Sequence, residues 1–324
     1  MNKVQSEWDS QQVELNSRLS AILLALNGGK GSGNWGHGGR PGKVGGSSST
    51  GGGCSKLDAD IIHGNKFMRD IDTSKLSAYE GEMLAKVAQG GNITPEEAMK
   101  MEHIKRCDRK LNKTEILKPE EHPDLVSRAK EEFKEKILKD ADAYGGAKKD
   151  KEFAIITGLP GAGKTTAGVE ELKKKGYLEV DNDIVKKVPS LAKYNKGGAG
   201  AGAIQEICGS ARKLAVAELM KEGYNIIYPG TGDNLKKVTR DLNMFRDAGY
   251  KANGPEIRYV EVSNATAVTR AVVRAYADGR YTSLDYIIGM EDKPKRVVQE
   301  LEKNGYLASD GNREKLTIQK SKND

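Results

Sequence analysis

Nine residues constrain this chain more than any others: Gly158-Leu-Pro-Gly-Ala-Gly-Lys-Thr-Thr166. They match the pattern G-x-x-x-x-G-K-[ST], follow directly on an apolar stretch from Phe153 to Thr157, and open a segment of helical pattern. A loop of this kind works at the carboxyl end of a strand that runs into a helix. Its glycines let successive backbone N–H groups turn inward around a phosphate, and the helix N-terminus adds about half a positive charge. Gly158, Pro160, Gly161, Ala162, Gly163, Lys164, Thr165 and Thr166 are therefore the expected nucleotide-binding residues. Lys164 is expected to reach the β and γ phosphates and Thr165 to ligate magnesium, which makes ATP and Mg²⁺ the expected cofactors.

The surrounding pattern supports that setting. From residue 151 onward, short apolar runs alternate with helical segments: strands at Phe153 to Thr157, Leu178 to Asp181, Asn225 to Tyr228, Ile257 to Val262 and Lys315 to Gln319, with helices at Lys164 to Lys175, Ile204 to Glu222, Leu235 to Ala248, Ala265 to Tyr276 and Pro294 to Asn304. This alternation predicts an α/β fold, a parallel sheet flanked by helices, with ligands at the carboxyl ends of the strands.

Candidate chemistry gathers at those ends. The second strand ends Val180-Asp181-Asn182-Asp183. Phosphoryl transfer to an alcohol needs positioning, neutralisation of charge and a carboxylate to take the hydroxyl proton. Asp183 is the candidate base, and Asp181 is expected to end the strand or support the metal shell. The third strand ends Tyr228-Pro229-Gly230-Thr231-Gly232, where Thr231 and Asp233 either bind the acceptor or form a plain tight turn. Arg270 and Arg274 stand four apart on one predicted helix face, with Arg280 just beyond its exit. Guanidinium groups so placed can close over the β and γ phosphates and offset the charge that builds during transfer.

Upstream of residue 151 the pattern changes. Residues 28–53 hold 13 of the chain's 38 glycines and read as a flexible linker. Residues 1–27 read as one amphipathic helix, and 54–150 as a helical region before the nucleotide-binding domain at 151–324. In the helical region, Thr94, Pro95 and Glu97 form a capping box that predicts a helix running towards Leu111, and Pro123 opens another that stops at Gly145-Gly146. Asp140 and Asp142, two apart on that helix, point different ways and predict a solvated face rather than a metal site.

Composition excludes several classes. Cys54, Cys107 and Cys208 form no C-x-x-C pair, and all four histidines lie in the first 122 residues, which rules out a His-based triad or metal site contained in the rest of the chain. The longest apolar run near the start, Leu19 to Leu26, is too short to cross a bilayer, and the chain reads as soluble, without a secretion signal and in a reducing, cytoplasmic setting. Net charge is +7, and residues 151–324 carry 29 Lys and Arg against 23 Asp and Glu. That excess suits an anionic partner without demanding a nucleic acid.

Taken in order, these elements resemble the zeta-toxin-like P-loop kinases, which are related to polynucleotide kinases and small-molecule phosphotransferases. The resemblance covers residues 152–318 and rests on G-L-P-G-A-G-K-T-T, on V-D-N-D followed by Lys186-Lys187-Val-Pro189, on G-Y-N-I-I-Y-P-G-T-G, and on Arg270, Arg274 and Arg280. It implies that the loop binds ATP, that Asp183 is the general base, and that Arg274 and Arg280 contact phosphates. It further implies an acceptor such as UDP-N-acetylglucosamine and a small antitoxin partner. The family's glutamate at the end of the third strand is here Pro229, which offers neither carboxylate nor N–H donor, and a second family acid aligns with Lys213. A shorter segment, Gly33-Asn-Trp35-Gly-His37-Gly-Gly-Arg40-Pro-Gly-Lys43-Val-Gly-Gly46, resembles glycine-rich segments of tailed-phage head-morphogenesis proteins. Two other readings share these motifs: a polynucleotide 5′-hydroxyl kinase, and a phage-associated assembly protein with an ATP-binding module.

Overall fold

In the computed structural model, which describes residues 53–111, 115–194, 199–290, 292–306 and 316–320, the first strand, β1 (Glu152–Thr157), sends Phe153 and Ile155 to one face and Ala154 and Ile156 to the other, and all four are buried. The expected N-terminal helix, and the linker up to its last residue, lie outside the described residues together with Trp35, His37, Arg40 and Lys43.

Before β1 come α1 (Lys56–Gly64), α2 (Ala78–Ala88), α3 (Pro95–Lys100), α4 (Glu102–Leu111) and α5 (Pro123–Asp142). After it come a π-helical turn at Thr165–Val169, α6 (Glu170–Lys174), β2 (Leu178–Glu179), α7 (Asn182–Val185), α8 (Pro189–Ala192), α9 (Ala199–Ala203), α10 (Gln205–Lys221), β3 (Ile226–Gly230), α11 (Leu235–Asp247), β4 (Lys251–Glu261), α12 (Asn264–Ala277), α13 (Leu284–Met290), α14 (Lys293–Lys303) and β5 (Leu316–Lys320). The sheet order is β2-β3-β1-β4-β5, and every pair is parallel. This is the expected parallel sheet flanked by helices. β4 begins earlier than the sequence pattern suggests, because its pairing with β1 shifts register between Phe153 and Ile155 and so takes in extra residues.

The helical region is not a body of its own. α5 packs Val126, Ala129, Phe133, Ile137 and Ala141 into the core that holds Phe153 and Ile155, together with α10, α11 and α14. α1 to α4 and the turns between them contribute Ile62, Leu84, Ile93, Met101 and Ile104 to the opposite core, against Ala154, Ile156, the phosphate loop, α12 and α13. The boundary expected at residue 150 therefore marks a change of sequence pattern but no break in packing.

Two helices depart from the expected course. The capping box forms, with Thr94 N donating to Glu97 at 2.8 Å and Glu97 N to the Thr94 hydroxyl at 3.2 Å. The helix it opens nevertheless stops at Lys100, because Met101 takes an extended backbone (ψ 123°) that buries its side chain completely, and α4 starts afresh. After the phosphate loop, Gly168 sits at φ 135°, outside the helical range, and the predicted helix starts with an irregular π turn before α6 begins at Glu170.

Candidate functional site

The loop between β1 and the π turn folds as the motif demands. Gly161 adopts φ 85°, and a Cβ there would meet the Ala267 carbonyl oxygen at 2.8 Å, so glycine is required both by conformation and by the close approach of α12. Leu159 and Ala162 are buried beneath the loop, and Thr165 and Thr166 are exposed at its mouth. Lys164 Nζ donates to the carbonyls of Gly158 and Leu159, both at 3.0 Å. Burial lowers its pKa to about 8, with Asp181 and Asp183 pulling the other way and Arg274 adding to the fall.

Asp181 and Asp183 come from the junction of β2 with α7, Asp181 before the helix and Asp183 in its first turn. Asp181 is the N-cap of α7, its Oδ1 accepting from Asp183 N at 2.9 Å. Burial and the neighbouring Asp183 carboxylate raise the Asp181 pKa. Asp183 differs. Burial alone would raise its pKa, but Lys186 Nζ at 3.1 Å, Arg280 at 3.7 Å and Arg274 outweigh that and hold it below the usual carboxylate range.

The three arginines arrive together on the other side. Arg270 on α12 donates to the Gly161 carbonyl at 3.0 Å and so ties the helix to the loop. Arg280 is held by Asp278 at 2.7 Å as well as facing Asp183. Arg274 lies between them, and its Nε and Nη2 are buried without a hydrogen-bond partner among the described residues. Its pKa is lowered by burial first and then by Arg280. A guanidinium left with buried, unpaired donors beside a second arginine is costly unless an anion completes it. Lys164, Asp181, Asp183, Arg274 and Arg280 thus lie close enough to shift one another's charge, with Arg270 beside them on the loop. The donors fit a triphosphate, and Thr165, exposed and in the motif's magnesium-binding position, fits a hydrated magnesium ion. Among the described residues there is no cluster of His, Cys, Asp and Glu that could hold a metal unaided, and Asp140 pairs with Lys136 at 3.1 Å.

Thr231 and Asp233 lie beside this site but are engaged with each other, the Thr231 hydroxyl donating to Asp233 Oδ1 at 2.5 Å. They line a small pocket at the end of β3 together with Arg212, Tyr228 and Asp241. Pro229 leaves one ladder donor missing there, and a side chain replaces it. Residues 225 and 227 of the chain turn their carbonyls to β2, accepting from Leu178 N and Val180 N, so the nitrogen of residue 229 faces the same side, towards the Val180 carbonyl, with no hydrogen to donate. Arg212 takes that donor's place, donating from Nη1 to the carbonyls of Pro229 at 3.2 Å and Val180 at 3.4 Å, and from Nη2 to the Tyr228 hydroxyl at 2.9 Å.

Arg212 is the residue that sequence reasoning missed. Attention went to Lys213, which is exposed. The available signal was position: Arg212 interrupts the buried stripe of α10 formed by Cys208, Ala211, Ala215 and Leu219.

The family model described as Zeta toxin matches residues 134–315, more than half of the chain. A solved structure from the PezAT chromosomal toxin–antitoxin system of the human pathogen Streptococcus pneumoniae is similar at 16% identity, covering 60% of this chain and 79% of that one, with a TM-score of 0.45. No curated protein gave a match.

Proposed function

The chain belongs to the zeta toxin family, whose activity is that of an ATP-dependent kinase, and from that premise we propose that it phosphorylates a hydroxyl of a small molecule, a nucleotide sugar such as UDP-N-acetylglucosamine. The observation that carries this reading is the convergence of Lys164, Asp183 and the unpartnered Arg274 donors on the mouth of the loop. Mg-ATP supplies the transferable phosphoryl group when bound. The loop amides and Lys164 hold the phosphates, and Thr165 supplies its hydroxyl to the magnesium. Arg274 and Arg280 offset the charge on the group in transfer. Asp183 orients the acceptor hydroxyl and takes its proton as the new P–O bond forms and ADP leaves. The low pKa of Asp183 keeps it ionised and ready at neutral pH, and its partners Lys186 and Arg280 fix its direction. The acceptor enters beside β3, where Arg212 and Tyr228 line the pocket with Pro229, the residue at the family's glutamate position.

The test is transfer of labelled phosphate from Mg-ATP to a panel of nucleotide sugars, with a 5′-hydroxyl oligonucleotide as a separate arm. Asp183→Asn should lower kcat at least a hundredfold while leaving ATP affinity within about threefold, the size general base catalysis reaches. A variant as fast as the parent removes Asp183 from the mechanism. Labelling of the oligonucleotide alone replaces the nucleotide-sugar reading.

A further inference from the structure

Residues interleaved with the three arginines reach out of the site to helices that precede the matched family region. Thr269, next to Arg270, accepts from Ile93 N at 2.7 Å and donates to Ala265 O at 2.7 Å. Tyr276, two residues after Arg274, donates to Glu80 Oε1 at 2.7 Å. Tyr281, next after Arg280, donates to Asp108 Oδ1.

The acceptors are fixed in their turn. Glu80 is 2% exposed and also accepts from His103 N at 2.8 Å and Ser77 N at 2.9 Å. The His103 ring packs on Tyr276 with centroids 4.5 Å apart, and its Nε2 meets Ala275 O at 3.1 Å. Burial, strengthened by the carboxylate each one meets, pushes both tyrosine hydroxyls far above their usual range, so they stay donors at every working pH.

Apolar packing holds a helix against its neighbours without direction, whereas a buried hydrogen bond at a tyrosine tip fixes its rotation and its level along the axis. Arg280 needs such fixing most. It lies on the exit from α12 after Gly279, half-exposed, with Tyr281 as its buried neighbour.

We propose that Asp108 and Glu80 are positioning residues, a brace from α2 and α4 that holds Arg274 and Arg280 at the height of the nucleotide's terminal phosphate. The proposal rests on the triphosphate reading of the site. It predicts discrimination between nucleotides, because the arginines touch a phosphate that ADP lacks.

Calorimetry of the full chain with Mg-ATP and with Mg-ADP tests it. Asp108→Ala should weaken Mg-ATP binding about tenfold, a size expected when a contact is displaced by a fraction of an ångström, and leave Mg-ADP within about twofold. Asp108→Asn, which keeps an oxygen to accept the tyrosine proton, should restore most of the ATP affinity. Tyr281→Phe should reproduce Asp108→Ala, and it decides the matter if Asp108→Ala fails to fold. A role confined to stability would lower Tm and weaken both nucleotides together. An unchanged ATP-to-ADP ratio in Tyr281→Phe, or a parent protein that binds both nucleotides equally, overturns the proposal. A parent that prefers ATP strongly yet phosphorylates no acceptor sinks the kinase and leaves the brace standing.

Discussion

Lys164 sets the acid–base behaviour of the whole site. Its ammonium rests on two carbonyls in a buried setting, and its pKa falls to about 8, well under the ordinary lysine range. A lowered lysine pKa means the charge is complete below pH 7 and fades as pH rises through 8. Phosphate oxygens favour the charged form, so binding must restore the lost proton. Titration of Mg-ATP at pH 8, in buffers of different ionisation enthalpy, should show uptake of about half a proton on this account, and close to none at pH 6.5. No uptake at pH 8 would place the lysine charge elsewhere. Asp181 and Asp183 make a second pair set apart by environment, one raised and one lowered, two residues apart. Their spacing is plain in the sequence. Which of them is pushed up and which down is not, because Arg274 and Arg280 reach Asp183 from a distant part of the chain and add to the pull of Lys186.

At the level of elements, the sequence patterns of α5 and α10 announce their buried faces. Phe133 on α5 is fully enclosed and sits in the same core as Phe153, whose ring stacks on Phe245 at 4.7 Å. Phe133→Ala should cost about 3–5 kcal/mol, read as a fall in the denaturant midpoint with little change in its slope. A loss under about 1 kcal/mol would mean that α5 only leans on the sheet and does not complete it. The breaks at Met101 and Gly168 show where pattern alone misleads. Met101 fits a helical period, but its backbone turns extended and its side chain is enclosed in the core, and at Gly168 the backbone leaves the α region altogether.

For the whole molecule, the two cores on the faces of one sheet are closed by residues from before β1. A chain beginning at residue 151 would uncover both of them at once: the face left by Phe133 and Ile137, and the face left by Leu84, Ile93 and Ile104. We expect such a chain to lose the cooperative thermal transition of the full protein when followed by circular dichroism. An unchanged Tm would show the upstream helices to be dispensable, and would return residues 54–150 to the separate region that the sequence pattern suggested. The sequence by itself determined the phosphate loop, the parallel strands, the candidate carboxylates and the arginine trio, because each is written in contiguous residues whose spacing obeys local rules of backbone and helix geometry. Only the tertiary structure decided that Arg212 fills the end of the sheet, and that Glu80 and Asp108 grip the arginine helix and its exit. Those are contacts between segments distant in the chain, and nothing in a local pattern encodes which faces meet when two cores close around one sheet.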